Sequence, residues 1–375
     1  MAETALAAVN IGPGEFEVRE FPLPDAIPDD AALLKIEACG ICGSDLGGLR
    51  RRGGEGEGGE GRGLFSRGPH IMGHENLGIV YRIGKAAAEK WKVREGDRIA
   101  LEEYVPCGAC EYCRSEDYRF CGERGGSIRY GSAPLTLWPS LWGGYSQYLY
   151  VHPNAIVHKV PSHIPAPQAA AFLPFGNGVE WAYNIGKVAL GDAVWVQGPG
   201  QQGLACVIAA KAAGASSIIV SGLSRDRRRL EVAKLVGADH TIDVEQEPDV
   251  VARVLDYTGG EGVNVVVNVT GGGKGCVEQA ITVGHKRKCN IVLAAAGQEM
   301  INVGRLGRKK IALMQANGHS YRSVELAIQF IASGKLPMDQ IATHTFPMSR
   351  AREALEAVAG TGAPDAIHVS IMPEV

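Results

Sequence analysis

Four cysteines, Cys107, Cys110, Cys113 and Cys121, form a C-x2-C-x2-C-x7-C run. Thiolates at such spacing suit a tetrahedral metal, zinc above all, and four of them leave no open position for a substrate. The run therefore reads as a structural metal site. Disulfides are the competing account, but the chain has nine cysteines, an odd number, and close neighbours suit ligation better than bridging. Chemistry has to be sought elsewhere. A second group, Cys42, His74 and Glu75, offers it: a thiolate and an imidazole suit a zinc used as a Lewis acid. The plainer reading of that pair is a buried cysteine and a hydrogen-bonded histidine.

A third pattern is Gly198-Pro199-Gly200-Gln201-Gln202-Gly203, after the apolar run 193–197 and before a helical stretch from about Gln202 to Ala213. In that strand–turn–helix setting the glycines allow a tight turn, a close backbone approach and close helix–sheet packing. The unpaired N–H groups that open the helix would face a pyrophosphate, as in dinucleotide sites. The next strand, 217–221, ends at Ser221-Gly222, with Arg225 and Arg227 to Arg229 close behind. An acidic residue at that strand end would favour NAD. None is seen along this segment except Asp226, which falls past the strand end, and the arginines could pair with a 2′-phosphate. The pattern favours NADP; NAD stands if Gly222 is indifferent and the arginines are solvated.

These groups need elements to position them. The chain has 375 residues, 45% of them hydrophobic, enough for two domains. Residues 1 to about 160 read as short strands broken by turns, as at 33–38, 76–83 and 99–101, in the manner of a barrel or folded sheet. Residues 53–63 alternate Gly with Glu and Arg and read as a loop. From about 168 strands alternate with helices: helical turns at 168–173 and 179–185, separated by Gly176-Asn177-Gly178, then strands at 193–197, 217–221, 240–242, 263–269 and 290–294. Such alternation predicts a parallel sheet with covered faces. The tail holds a strand, a helix over 349–358 and a last strand near 367–371, and is expected to rejoin the first domain. A net charge of -3 gives no general nucleic-acid surface. No stretch reaches the roughly 18 apolar residues of a membrane span, and the start lacks a secretion signal. Reduced cysteines point to the cytoplasm.

Taken together, the motifs resemble those of the zinc-dependent alcohol dehydrogenases of the medium-chain dehydrogenase/reductase family, over nearly the whole length. Gly40-Ile41-Cys42-Gly43-Ser44-Asp45 is similar to the family's first catalytic zinc motif and Gly73-His74-Glu75 to its second; the four-cysteine run and the coenzyme glycines follow in family order. The resemblance implies an α/β chain with a GroES-like catalytic domain over 1–165, a zinc lobe at about 105–122, a Rossmann coenzyme domain over 166–336 and a return to the catalytic domain over 337–375. It implies that Cys42 and His74 ligate catalytic zinc and that Ser44 takes the substrate hydroxyl proton. Asp45 would hydrogen-bond His74, and Glu75 would stand near or on the metal. Gly198, Gly200, Gln201, Gln202, Gly203, Gly222, Arg225 and Arg229 would contact NADP or NAD. A homodimer or homotetramer is implied as well, joined through the coenzyme domain.

Two positions depart from the family pattern. Leu173 stands where a third strong ligand is usual, which leaves Glu75, Glu180 or Cys39 to complete the set, or a site without zinc. Gly47 stands where many relatives carry a proton-relaying histidine. Leu135, Leu137, Trp138, Leu141 and Trp142 fall near the expected substrate cleft and favour an apolar, cyclic or aromatic secondary alcohol; an aromatic patch packed on its own domain is the alternative. The expected activity is reversible oxidation of such an alcohol to its ketone. The rivals are a zinc-independent quinone or enoyl reductase and a non-catalytic dinucleotide-binding protein.

Overall fold

The computed structural model of the chain describes residues 3–49, 68–122, 128–271, 273–294 and 299–374; the Gly-rich run at 53–63 lies outside them. Two compact units emerge, Met1–Phe172 with Ala342–Val375, and Leu173–Ile341. The first unit begins with β1 (Thr4–Gly12), β2 (Glu15–Pro22), β3 (Ala32–Gly40), β4 (His70–Ile71), β5 (Glu75–Ile83), β6 (Arg98–Leu101), β7 (Tyr104–Val105), β8 (Ile128–Arg129), β9 (Tyr148–Val151) and β10 (Val157–Lys159). The second holds β11 (Ala193–Gln197), β12 (Ser217–Gly222), β13 (His240–Asp243), β14 (Val265–Asn268), β15 (Cys289–Leu293) and β16 (Ile311–Gln315). The chain then returns to the first unit with β17 (Ala342–Pro347) and β18 (His368–Met372).

In the first unit a seven-stranded sheet runs β10-β6-β5-β3-β18-β17, with β9 beside β3. Only β17 and β18 pair in parallel. Along β3 and β5 the register slips between Leu33 and Leu34 and between Ile36 and Ala38. Such bulges bend a strand and add twist, so the sheet curls around a core that includes Leu33, Leu34, Ile71, Leu141, Trp142, Leu355 and Ile371. β18 lies between β3 and β17, so the C-terminal segment completes the sheet from which the first unit's site is built.

The second unit is a six-stranded parallel sheet of order β13-β12-β11-β14-β15-β16. Its central strands are rich in Val and Ile and buried on both faces, as a parallel sheet covered by helices requires. Counted from β11, the order is that of the doubly wound nucleotide-binding fold, and it reverses between β11 and β14. Ligands of such sheets sit outside the carboxyl ends of the strands at that reversal.

The glycines at 176 and 178 do not interrupt a helix, contrary to expectation. Phe172–Gly178 is helical and runs on into a wide π-type turn over Val179–Ile185. A Cβ on Gly176 would lie 2.9 Å from Val324 Cγ2, and one on Gly178 2.4 Å from Ala205 Cβ. These glycines serve close helix packing rather than a break. The strands β1, β2 and β16, and the helices Val250–Tyr257 and Cys276–Val283, were not legible in the sequence pattern.

Candidate functional site

Cys42 follows β3, and His74 and Glu75 sit at the start of β5. Because β3 and β5 are antiparallel with Gly40 opposite Glu75, the two short motifs meet. One ligand atom from each of Cys42, His74 and Glu75 lies within 4.8 Å of the others. Asp45, fully buried, holds two of these groups with one carboxylate. Its Oδ2 accepts the amide of Cys42 at 3.0 Å, and its Oδ1 lies 3.3 Å from His74 Nδ1. With Nδ1 facing a carboxylate at ion-pair distance, Nε2 is the nitrogen left for a metal. Burial alone would lower the His74 pKa, but the Asp45 carboxylate and then the Cys42 thiolate override it and hold it well above the ordinary value.

Glu75 tests whether a metal fits. It is buried, and its Oε2 has no hydrogen-bond partner among the described residues. Burial, then the nearby Cys42 thiolate, push its carboxyl well above the ordinary range. A buried carboxylate without a donor is costly, and a divalent cation would remove that cost. The soft–borderline–hard donor set of thiolate, imidazole and carboxylate is one that zinc accepts. Gly40 makes the slot: a Cβ there would stand 2.1 Å from Glu75 Oε2 and 2.8 Å from His368 Cε1. His368, on β18, is buried, and burial pushes its imidazole pKa down to about 4. Tyr145 lies beneath the group, its hydroxyl 3.5 Å from Asp45 Oδ2. Sequence reasoning singled out neither His368 nor Asp45's bond to Cys42; His368 arrives from almost three hundred residues away, and only the β3–β18 pairing brings it in.

The other expected residues fall out differently. Ser44 is exposed in the 3-10 turn Gly43–Leu49. Glu180 is occupied: its Oε2 accepts from Asn184 Nδ2 at 2.7 Å, Ser320 Oγ at 2.8 Å and Ser323 Oγ at 2.6 Å. Those bonds make it a structural acceptor. Cys39 Sγ donates to Asn76 Oδ1 at 3.4 Å, and burial first, then Asp45, raise its pKa well above the ordinary value, so it stays a thiol outside the three-ligand group. Leu173 is buried and apolar. Of the apolar run, Leu141 and Trp142 belong to the core, Leu135 and Leu137 pack against it, and Trp142 stacks on Tyr130 at 5.8 Å. Leu135 and Leu137 are half-buried, and Trp138 alone of the five is strongly exposed.

The four-cysteine lobe is compact. Sulfurs of Cys107, Cys110, Cys113 and Cys121 all lie within 4.8 Å of one another, with Cys107–Cys113 at 3.9 Å and Cys110–Cys113 at 3.5 Å. Tetrahedral zinc with bonds of roughly 2.3 Å separates its sulfurs by about 3.8 Å, whereas a disulfide needs about 2.05 Å. The spacing fits the metal. Amides of Ala109 and Cys110 each donate to Cys107 Sγ at 3.4 Å, and these donors bring its pKa down to about 6. Behind the lobe, the Tyr118 hydroxyl reaches Glu102 Oε2 at 2.8 Å, and His158 Nε2 lies 2.9 Å from Glu102 Oε1. Glu102 and His158 are fully buried, so this network ties the lobe to β10.

In the second unit, Gly198 takes a φ of 107° at the end of β11. A Cβ on Gly203 would collide with Gly198 O at 1.9 Å, while nothing stands within 4 Å of one on Gly200. The result is a tight turn closed on the helix side and open on the other, at the N-terminus of the helix Gln201–Ala212. That cradle fits a pyrophosphate. Gln201 and Gln202 are half-buried in the helix's first turn. Gly222, ending β12, is tied to the same turn: a Cβ there would meet Pro199 Cγ at 2.7 Å. Arg225 is exposed, and Arg229 pairs with Asp226 at 3.0 Å. The expectation that no carboxylate stands at this strand end needs correction. β12 and β13 are parallel with Gly222 opposite Asp243, so Asp243 at the end of β13 and Glu245 in the turn after it both reach Ser224.

Comparison with known proteins agrees with this geometry. Residues 28–162 match the alcohol dehydrogenase GroES-like domain, and residues 203–333 the zinc-binding dehydrogenase domain. A probable alcohol dehydrogenase of Mycobacterium tuberculosis is 35% identical over 362 residues, 94% of each chain. The erythritol/L-threitol dehydrogenase of Mycolicibacterium smegmatis is 30% identical, covering 99% of this chain and 98% of its own. A solved oxidoreductase/dehydrogenase of unknown specificity from Escherichia coli superposes with a TM-score of 0.83 at 25% identity, over 100% of both chains. Fold and site define an α/β oxidoreductase with a GroES-like part and a Rossmann part. The chain belongs to the zinc-dependent alcohol dehydrogenases of the medium-chain dehydrogenase/reductase family. It is an enzyme that interconverts alcohols and carbonyl compounds with a nicotinamide cofactor.

Proposed function

We propose that this chain oxidises a secondary alcohol reversibly to its ketone, with Cys42, His74 and Glu75 as the ligands of a catalytic zinc and the four-cysteine lobe as a structural zinc site. The observation that carries it is the buried Glu75 carboxylate, which faces Cys42 and His74 with one oxygen lacking a donor among the described residues. Bound zinc would supply Lewis-acid polarisation of the substrate oxygen, and the nicotinamide would accept the hydride. The chain's own residues do the rest. Asp45 fixes the tautomer of His74 and the backbone of Cys42, which pre-sets two ligands. Ser44, exposed beside them, takes the hydroxyl proton and passes it to solvent, since Gly47 has no side chain to relay it. Gly198, Gly200 and Gly203, with the first helical turn at Gln201 and Gln202, hold the pyrophosphate, and Gly222, Arg225 and Arg229 flank the adenosine end.

Two substrate classes compete. The apolar ring is supported by the exposed Trp138 and the half-buried Leu135 and Leu137, Leu141 and Trp142 belonging to the core. A polyol or vicinal diol gains support from the erythritol/L-threitol relative. The test is a matched panel of cyclohexanol, 1-phenylethanol, 2,3-butanediol and erythritol with both dinucleotides, run on the wild type and on Cys42→Ala. The expected result is turnover by the wild type and loss of at least about a thousandfold in the variant, with zinc falling from two per subunit to one. Full activity in Cys42→Ala would refute the zinc assignment. Reduction of an enone by protein carrying one zinc would instead favour the zinc-independent reductase.

A homodimer or homotetramer joined through the second unit is part of this proposal. β16 pairs only with β15 among the described strands, and Met300 and Val303 nearby in sequence are 98% and 70% exposed. A reducing compartment such as the cytoplasm suits the thiolate lobe. Among the described residues no helix is long and apolar enough to cross a membrane.

A further inference from the structure

The turn after β12 is held by one carboxylate that ends β13 and one two residues past it, and we propose that Asp243 and Glu245 set the dinucleotide choice, in favour of NAD over NADP. The inference rests on the nucleotide reading of the Gly198–Gly203 turn. Ser224 is the first exposed residue past β12. It offers two donors where an adenosine-ribose substituent would come to rest, because Gly222 packs on Pro199 of the phosphate turn. Both donors are taken. Asp243 Oδ2 accepts the Ser224 hydroxyl at 2.8 Å, and Glu245 Oε2 accepts the Ser224 amide at 2.7 Å.

The pair is fixed by the backbone rather than by chance rotamers. Val244 N donates to Gly222 O at 2.9 Å, which continues the β12–β13 ladder. Glu245 N donates to Asp243 Oδ1 at 3.0 Å, which locks the aspartate toward the turn. A ribose 2′-hydroxyl can donate to either carboxylate. A 2′-phosphate brings a charge of about -2 and only acceptors, and it would meet two carboxylates and a serine with no donor to spare.

The arginines do not reverse this. Arg228 lies 3.4 Å from Glu231 and Arg229 3.0 Å from Asp226, so both are engaged. Arg225 and Arg227 are exposed and form no ion pair among the described residues. They are the cations that would capture a phosphate if the two acids were neutral. The selector is therefore the acid pair, and the arginines are a latent NADP site behind it.

The test is direct binding, by titration calorimetry, of NAD+, NADP+ and 2′,5′-ADP, the last carrying the 2′-phosphate without nicotinamide. Wild-type protein should bind NAD+ at least about tenfold more tightly than NADP+ and 2′,5′-ADP weakly. D243N/E245Q should narrow or invert that ratio by about tenfold or more, through tighter NADP+ and 2′,5′-ADP binding together with weaker NAD+ binding, since the ribose hydroxyl loses its charged acceptors. Should the double variant not fold, E245Q alone, at an exposed position, should move the ratio in the same direction. Wild-type protein that binds NADP+ as tightly as NAD+, or folded variants with an unchanged ratio, would overturn the inference while leaving the nucleotide site intact. Binding of neither dinucleotide by the wild type would overturn the nucleotide reading and this inference with it.

Discussion

A single buried carboxylate organises the candidate metal site. Asp45 touches the backbone of one proposed ligand and the ring of another, so its removal disturbs two ligands at once. Asp45→Asn keeps the shape but loses the charge that fixes the His74 tautomer. We expect zinc at this site to be held about 10- to 100-fold more weakly, measured by competition with a chelator, while zinc in the four-cysteine lobe is retained. Equal retention at both sites would show that Asp45 only caps its turn. Much of this site was legible in the sequence, because the ligands lie in two short motifs, Cys42 to Asp45 and His74 to Glu75. What was not legible comes from pairing across the sheet. His368 reaches the site through β18, and Asp243 and Glu245 reach Ser224 through β13. No local pattern announces such neighbours, since register is set by the whole sheet.

At the scale of elements, the four-cysteine lobe is a short segment with little apolar core of its own, its helix Glu111–Arg114 being a single turn. On the proposed structural-zinc reading, it depends on the metal together with the Tyr118–Glu102–His158 network to hold its shape. Cys110→Ser should therefore lower the melting temperature by several degrees and remove one zinc per subunit, because structural zinc contributes folding free energy directly. An unchanged melting curve and zinc content would contradict the structural-site assignment. Glycine misled the sequence reading here. Gly176 and Gly178 resemble a break, yet they sit inside a continuous helical stretch against Val324 and Ala205. Composition reports that a residue is small; it does not report whether the smallness serves a turn or a contact. The alternating strands and helices of the second unit were legible because buried parallel strands such as 193–197 are nearly pure apolar runs. β2 was missed because it is mostly exposed and only Phe16 and Phe21 pack against the core, too few for a clear apolar alternation.

At the scale of the whole molecule, the open edge at β16 carries the proposed self-association. M300D/V303D places charge at two exposed positions and leaves the core untouched. The variant should sediment as a monomer where the wild type sediments as a dimer or tetramer, with its circular dichroism unchanged. A wild type that is already monomeric would refute the proposal. The first unit is also discontinuous in the chain: it breaks off at Phe172 and resumes at Ala342. Its β3 pairs with β18, with Ile41 N bonded to Val369 O at 2.9 Å. During synthesis, then, the ribosome releases a first unit whose sheet stands ajar beside the segment that bears Cys42. That flank stays unsealed while the entire second unit is translated, and it closes only when the last strand emerges. A nascent chain stalled in the second unit would present that raw flank to chaperones, and loss of the final strand would leave it open for good.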